Sequence, residues 1–222
     1  PSSSPVGGST VTGTVKLTGK APEGGCIVNI TNGLAGIIAP ATLLIDAGLD
    51  SATFTATLPV VSVETVVPWK ASLNGAFKTV KMSIKPATIL AVTFSPVSAA
   101  GGSPMTGKVT LTGQAPDGGI AVTLVSAAPG IATTPASVVV PAGATNVSFP
   151  VTTVPVVADA NVSITASTGA VSKVGTVRVL APVVTVFLLS TSTVQGGKTI
   201  AGRINISGMA PAGGVVVTLT SS

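Results

Sequence analysis

The chain has 222 residues, of which 45% are apolar, 3% aromatic and 8% charged, and its net charge is +5. This hydrophobicity excludes an intrinsically disordered chain, and the scattered Lys and Arg residues do not form the basic cluster that nucleic-acid binding requires. No apolar run reaches the roughly 18 residues of a membrane-spanning helix, so no transmembrane segment is predicted. Abundant Val, Ile and Thr favour strands, whereas 26 glycines and 17 prolines interrupt any long helix.

A block of 26 residues occurs three times along the chain, beginning at residues 7, 101 and 196. The three copies read GGSTVTGTVKLTGKAPEGGCIVNITN, GGSPMTGKVTLTGQAPDGGIAVTLVS and GGKTIAGRINISGMAPAGGVVVTLTS. The first two agree at 14 of 26 positions without a gap, and the copies are spaced by 94 and 95 residues. That spacing is too long for a solenoid unit and matches the length of one small β-sandwich.

The repeat divides the chain into three predicted domains. Residues 1–86 form a copy whose first strand is largely missing, residues 87–181 form a complete copy, and residues 182–222 supply the first three strands of a partial copy. Short proline-containing links join the copies, and such links are semi-rigid, so a rod-like array is predicted. The partial copy is too short to bury its own core, so we expect a longer array or strand donation by another chain to complete it.

Apolar and polar residues alternate in short runs separated by turn residues, which predicts about seven strands per copy and a sandwich or barrel. In the second copy the strands are predicted near residues 88–94, 104–112, 120–126, 136–141, 145–153, 160–167 and 172–180. An Ala-Pro-x-Gly-Gly element recurs in each copy and predicts a sharp turn, because proline fixes φ and glycine permits positive φ. A strand follows each element, which argues against a phosphate-binding loop at a helix N-terminus.

The glycine pair, the TGTVKLTG and TGKVTLTG strands, the APxGG turn and the PAGATNVSF segment ending at Phe149 together resemble the tandem bacterial Ig-like repeats of secreted and cell-surface proteins. The resemblance covers essentially the whole chain. It implies an all-β fold of tandem immunoglobulin-like β-sandwiches, an extracellular or cell-surface location, and service as a stalk, adhesin, fibre subunit or spacer. The antibody-type cysteine pair and tyrosine are absent from the sequence. Trp69 aligns with Ile164 and is interpreted as a core residue of the first copy.

The sequence predicts no catalytic residues, and the chain is interpreted as a non-enzyme. It contains no histidine, which removes the usual general base. Among its six acidic residues only Asp46 and Asp50 lie close together, and they flank an Ala-Gly-Leu turn. The corresponding turn of the second copy has no acid, so a turn role is favoured over catalysis.

No cofactor-binding or metal-binding residues are predicted either. Glu23 and Asp117 share the APxGG turn, but Ala212 replaces them in the third copy, which argues against a calcium site there. Cys26 is interpreted as an apolar strand residue, with an intermolecular disulfide as the alternative. Four N-glycosylation sequons are interpreted as accidental products of strand alternation, with modification as the alternative. They begin at Asn29, Asn146, Asn161 and Asn205.

The function predicted from the sequence is structural: a repeat array forming an extracellular filament, sheath or stalk. A low charge suits packing between copies, because little repulsion opposes association. The partners expected are other copies or neighbouring repeats, and surface polysaccharide is a further candidate. The alternatives are an adhesin or carbohydrate-binding array with its ligand face on inter-strand loops, and a hydrolase whose catalytic domain lies outside this sequence.

Overall fold

A computed structural model describes residues Ser4–Ser221, and every regular element within that range is a β-strand. The described residues include no helix long and apolar enough to cross a membrane. The outermost residues of the predicted first and third domains, 1–3 and 222, lie outside the described range. The chain divides into two compact units. One comprises residues through Thr88 with Leu111–Ile120 and Pro141–Thr145, and the other comprises Ile89–Thr110, Ala121–Val140 and the residues from Asn146 onwards.

Six strands arranged in two sheets form the body that we call the first sandwich. They are β1 Thr10–Lys16, β2 Cys26–Asn32, β3 Thr42–Ile45, β4 Ser51–Thr57, β5 Thr65–Leu73 and β6 Ala76–Ile84. One sheet contains only β1 and β4, which are antiparallel from Thr10 opposite Thr57 to Lys16 opposite Ser51. The other sheet has the order β3-β2-β5-β6. Alternating side chains of these strands face each other and form the apolar interior.

Nine strands form the second sandwich, again in two sheets, with the orders β12-β10-β14-β15-β8 and β11-β13-β9-β7. They are β7 Ile89–Ser95, β8 Ser98–Ala100, β9 Pro104–Leu111, β10 Ile120–Ser126, β11 Ala132–Thr133, β12 Ser137–Val140, β13 Asn146–Thr153, β14 Ala160–Thr168 and β15 Val171–Leu180. The seven predicted strands are all present, and the first, second and fifth of them share one sheet while the third, sixth and seventh share the other. This is the strand order of an immunoglobulin sandwich, so the predicted fold class is confirmed.

The sequence prediction missed β8 and β11, which have only three and two residues. β8 runs parallel to the end of β15, with Ala100 opposite Leu180. Strands this short contain only a single repeat of the two-residue alternation, which is too little for a periodic signal in the sequence.

Two antiparallel strands follow the second sandwich, β16 Val184–Leu189 and β17 Gly202–Ile206, with an irregularity between Val184 and Val186. The prediction of three strands for residues 182–222 is therefore wrong by one, because residues 215–220 are not a strand. In the second sandwich the corresponding strand, β10, pairs with β12 and β14. No counterpart of those two partners follows β17 within the described residues, so this segment has no strand to pair with.

The predicted APxGG turns are confirmed in all three copies. The Gly25 N–H donates to the Pro22 carbonyl at 2.9 Å, and the same bond measures 2.8 and 2.9 Å in the other copies. Both glycines of each turn have φ between +75° and +97°, a region that residues with a Cβ rarely adopt. The turn follows β1, β9 and β17, and in the first two copies it leads into β2 and β10.

Candidate functional site: an open groove in the first sandwich

The first sandwich lacks a strand that both later copies possess. In the second sandwich β9 lies between β13 and β7. In the third copy β17 pairs with β16. The counterpart of β9 and β17 is β1, whose only strand neighbour within Ser4–Ser221 is β4. Val6 forms a parallel bridge with Lys85, which reproduces the pairing of β8 with β15. Among the described residues the first sandwich therefore has an equivalent of β8 but no equivalent of β7.

The free edge of β1 exposes backbone groups in a defined pattern. The Leu17 N–H donates to the Asp50 carbonyl at 2.7 Å, and the Leu58 N–H donates to the Ser9 carbonyl at 2.9 Å. Odd-numbered residues of β1 therefore bond towards β4. Because alternate residues of an antiparallel strand bond to opposite sides, the N–H and C=O groups of the even-numbered residues point to the free edge. An edge of this kind is a template for one more strand.

Just beyond the end of β1, Thr18 corresponds to residues that bond to the first strand in both other copies. The Thr112 N–H donates to the Thr88 carbonyl at 2.8 Å, and the Thr88 N–H donates to the Thr112 hydroxyl at 3.0 Å. Ser207 and Val183 form the same pair of bonds, at 2.9 and 3.0 Å. No residue among those described pairs with Thr18 in this way. Of this two-bond arrangement, the described part of the first sandwich contains only the residue Thr18.

Beside this edge lies a groove of about 1090 Å³ between β1 and the β5–β6 hairpin. It occupies the place that β7 has in the second sandwich, and its walls are mostly the apolar interior that β7 would cover. Its lining includes Val11, Gly13, Val15, Phe54, Trp69 and Met82.

Burial at matched positions shows that the groove is an uncovered piece of core. In the second sandwich Phe149 is 2% exposed, and Val109 and Val177 are 0% exposed. Their counterparts Phe54, Val15 and Met82 are only half-buried. The repeat provides the same type of residue at these positions in both sandwiches, and the difference in burial follows from the strand that is present in one and missing in the other.

Trp69 lies in β5 at this groove. Its ring is 5.8 Å from the Phe54 ring, and it packs against the cluster of Leu58, Val67 and Ile84, so its predicted place in the core is only partly realised. The indole nitrogen Nε1 is buried and has no hydrogen-bond partner among the described residues. A buried unpaired N–H is destabilising, so an acceptor supplied from outside would stabilise this site. Sequence reasoning gave no signal of this, because the position of the nitrogen depends on packing.

At one position of the groove the first sandwich has a valine, Val80, where the second sandwich has a glycine, Gly175. A Cβ added at Gly175 would lie 2.6 Å from the Phe94 ring and 2.8 Å from the Val92 carbonyl, so β7 runs directly over that glycine. The corresponding residue in β6 is Val80, which is exposed and lines the groove. A strand docked here therefore runs further from β6 than β7 runs from β15.

The rim of the groove is positively charged. Lys16 forms an ion pair with Asp50 at 3.5 Å, and the Lys70 ammonium lies 4.5 Å from the centre of the Phe77 ring. A hydrogen bond from the Ser51 hydroxyl, and then the nearby Lys16 charge, hold the pKa of Asp50 below its usual range. Both partners of the ion pair are exposed, so the pair contributes little to stability.

The acidic residues singled out from the sequence do not assemble. The Leu49 N–H donates to the Asp46 carbonyl in the predicted turn, whereas Asp50 bonds to Ser51 and Lys16. Within Ser4–Ser221 no group of three or more His, Cys, Asp or Glu residues is placed to hold a metal ion. Glu23 and its counterpart Asp117 lie in the APxGG turns of their copies.

Cys26 and the sequon asparagines lie in strands. Cys26 is the first residue of β2, is half-buried and packs against the cluster of Ala21, Val28 and Ile45, which agrees with its predicted apolar role. The asparagines of the four sequons lie in β2, β13, β14 and β17. Asn29 lies between Val28 and Ile30, which line the groove, whereas Cys26 does not line it.

No protein-family model matches the chain, and no curated protein matches it. Among solved structures it is similar to invasin, a bacterial integrin-binding protein, with 16% identity and a TM-score of 0.43 over 88% of this chain and 45% of that one. It is also similar to the Yersinia pseudotuberculosis adhesin InvE, with 14% identity and a TM-score of 0.33 over 82% and 56% of the two chains. The eight N-terminal Ig domains of Down syndrome cell adhesion molecule match with 10% identity, a TM-score of 0.29 and coverage of 83% and 26%. The chain spans about half the length of the first two.

Proposed function

We propose that this chain is a non-catalytic structural module of an extracellular or cell-surface repeat array. The observation that supports it is the groove of the first sandwich: within Ser4–Ser221 the edge of β1 that corresponds to the β7-covered edge of β9 has no partner strand, and the apolar wall beside it is only half-buried. Addition of a strand to such an edge is a known mode of association, in which backbone hydrogen bonds give affinity and side-chain pockets give specificity. In this proposal the first sandwich is completed by a neighbouring repeat, either of a longer chain or of another copy.

The groove and the two-stranded sheet of β16 and β17 occur in different parts of the same chain. The groove belongs to residues before Ile84, whereas β16 and β17 follow the second sandwich. An association between two different surfaces is heterologous, and it continues as a filament unless its rotation closes a ring. Filament, sheath or stalk assembly is the consequence that we propose. Because only 8% of the residues are charged, electrostatic repulsion opposes close packing of copies only weakly.

The test is the state of association of the whole chain. We expect light scattering after gel filtration to show species larger than the monomer that grow with protein concentration, and electron microscopy to show linear particles. A chain that stays monomeric at every concentration would contradict the proposal. Binding of the monomer to a polysaccharide panel, without any assembly, would favour the adhesin alternative instead.

A further inference from the structure

We propose that the glycine pair of one repeat and a Thr/Ser-Gly-x element of the next repeat form a specific joint, through which a repeat is stabilised by its successor. The glycine pairs are residues 7–8 and 101–102, and the elements are residues 112–114 and 207–209. Each set of contacts lies inside one of the two compact units. The inference is independent of the proposed function, because all residues of a joint belong to one molecule.

In the first joint, the side chain of Val6 lies directly against Gly113. A Cβ added at Gly113 would lie 2.7 Å from the Val6 Cγ1 atom and 3.3 Å from the Gly7 carbonyl oxygen. The backbone of Gly113 does not have positive φ, so the space that Val6 occupies, and not the conformation, favours glycine here. Val6 is itself held in the first sandwich, because the Gly7 N–H donates to the Lys85 carbonyl at 2.9 Å.

The second joint has the same contact. Ala100 is the counterpart of Val6, and Gly208 is the counterpart of Gly113. A Cβ added at Gly208 would lie 2.9 Å from the Ala100 Cβ atom, and Gly208 does not have positive φ either. Ala100 is anchored in the second sandwich, since it lies opposite Leu180 in the pairing of β8 with β15. One close approach of a side chain to a glycine therefore occurs at both joints.

The second glycine of each pair forms the other half of the joint. Gly8 and Gly102 have φ of +83° and +87°. A Cβ at Gly8 would lie 3.5 Å from Gln114 Oε1, and a Cβ at Gly102 would lie 3.1 Å from Met209 Sδ. Gln114 and Met209 occupy the same position of the repeat, the last of the Thr/Ser-Gly-x element. Because two different side chains cover this glycine, the contact depends on the glycine and not on one particular residue at x.

The covalent links beside the two joints differ in their hydrogen bonds. After the second sandwich the Ala181 N–H donates to the Asp159 carboxylate at 2.8 Å. The corresponding residue after the first sandwich is Pro86, which has no N–H to donate. The counterpart of Asp159 there is Glu64, which accepts a hydrogen bond from the Ser83 hydroxyl instead. The glycine contacts occur at both joints in spite of these differences, so we assign the coupling of the repeats to them and not to the link.

The decisive experiment is a double-mutant cycle of Val6→Ala and Gly113→Ala in the whole chain, with Trp69 fluorescence reporting the melting of the first sandwich. Gly113→Ala overlaps Val6 and weakens the joint, so the Tm seen by Trp69 should fall by about 4 °C or more, although the substitution lies in the second copy. Val6→Ala removes the overlapping methyl group and leaves the Cβ of residue 6 at 3.7 Å from the new Cβ, an ordinary contact distance. The double variant should therefore melt no lower than Val6→Ala alone.

Gly19→Ala is the matched control variant. Gly19 has the position in the first copy that Gly113 has in the second, and its φ is not positive. No atom of the described residues apart from its chain neighbours lies within 4 Å of the place of its Cβ. The two substitutions therefore make the same change in the same local structure, and only Gly113→Ala meets another repeat. We expect Gly19→Ala to leave the Tm seen by Trp69 unchanged or slightly raised, since alanine restricts the unfolded chain.

The outcomes test the joint separately from the proposed function, because the melting is measured in dilute protein, where copies do not associate. If Gly113→Ala changes the circular dichroism of the second sandwich but leaves the Trp69 transition in place, the substitution acts only within its own repeat and the joint is overturned. Additive losses from Val6→Ala and Gly113→Ala would overturn the pairing of these two residues. The state of association at high concentration bears on the proposed function alone.

Discussion

Replacing one phenylalanine in each sandwich by alanine measures how much of the first core is uncovered. Phe149 is buried and packs edge-on against Phe94 with their ring centres 6.2 Å apart, so Phe149→Ala leaves a closed cavity. Such substitutions cost about 3–5 kcal/mol. Phe54 occupies the same position in the first sandwich but is half-buried and already faces the open groove. Its replacement creates no closed cavity and removes less buried surface, so we expect a cost of roughly 2 kcal/mol.

Urea unfolding of the two variants gives these values, with Trp69 fluorescence reporting the first sandwich and far-ultraviolet circular dichroism reporting both. The measurements use dilute protein, so that association between chains does not contribute to the unfolding free energy. For a domain of this size each 1 kcal/mol corresponds to about 4–8 °C in Tm, so Phe149→Ala should lower the melting of the second sandwich by at least about 12 °C. Equal losses from Phe54→Ala and Phe149→Ala would refute the reasoning, because they would mean that the groove wall is packed as a closed core.

Three further predictions concern the second sandwich and assembly. Gly107→Ala should destabilise the second sandwich by about 1–3 kcal/mol in urea unfolding, since the added Cβ would overlap the Phe149 ring. The Ala181 amide and then Arg178 hold the pKa of Asp159 below its ordinary value of 3.8. A lowered carboxyl pKa stabilises the fold above that value, so stability should fall as pH drops below 3.8 in wild type and less in Asp159→Asn, as measured by Tm against pH. Assembly driven by apolar burial should strengthen with sulfate and weaken on cooling, as measured by light scattering.

The periodic part of the fold could be predicted from the sequence because its physical causes are local. Alternation of Val and Thr determines which face of a strand is buried, and glycine with proline determines where the chain turns. Residues 215–220 show the limit of this reasoning: their alternation is that of a strand, but a strand also requires a partner, which alternation does not specify.

The finer features of the groove depend on which residues lie opposite one another across two sheets. The buried Nε1 of Trp69 without a partner, and the unequal burial of Phe54 and Phe149, result from a strand that is absent in one sandwich and present in the other. Neither property belongs to the local sequence. Alignment of the two copies pairs Val80 with Gly175. The alignment alone does not explain the glycine, whereas the structure does, because β7 crosses directly over it.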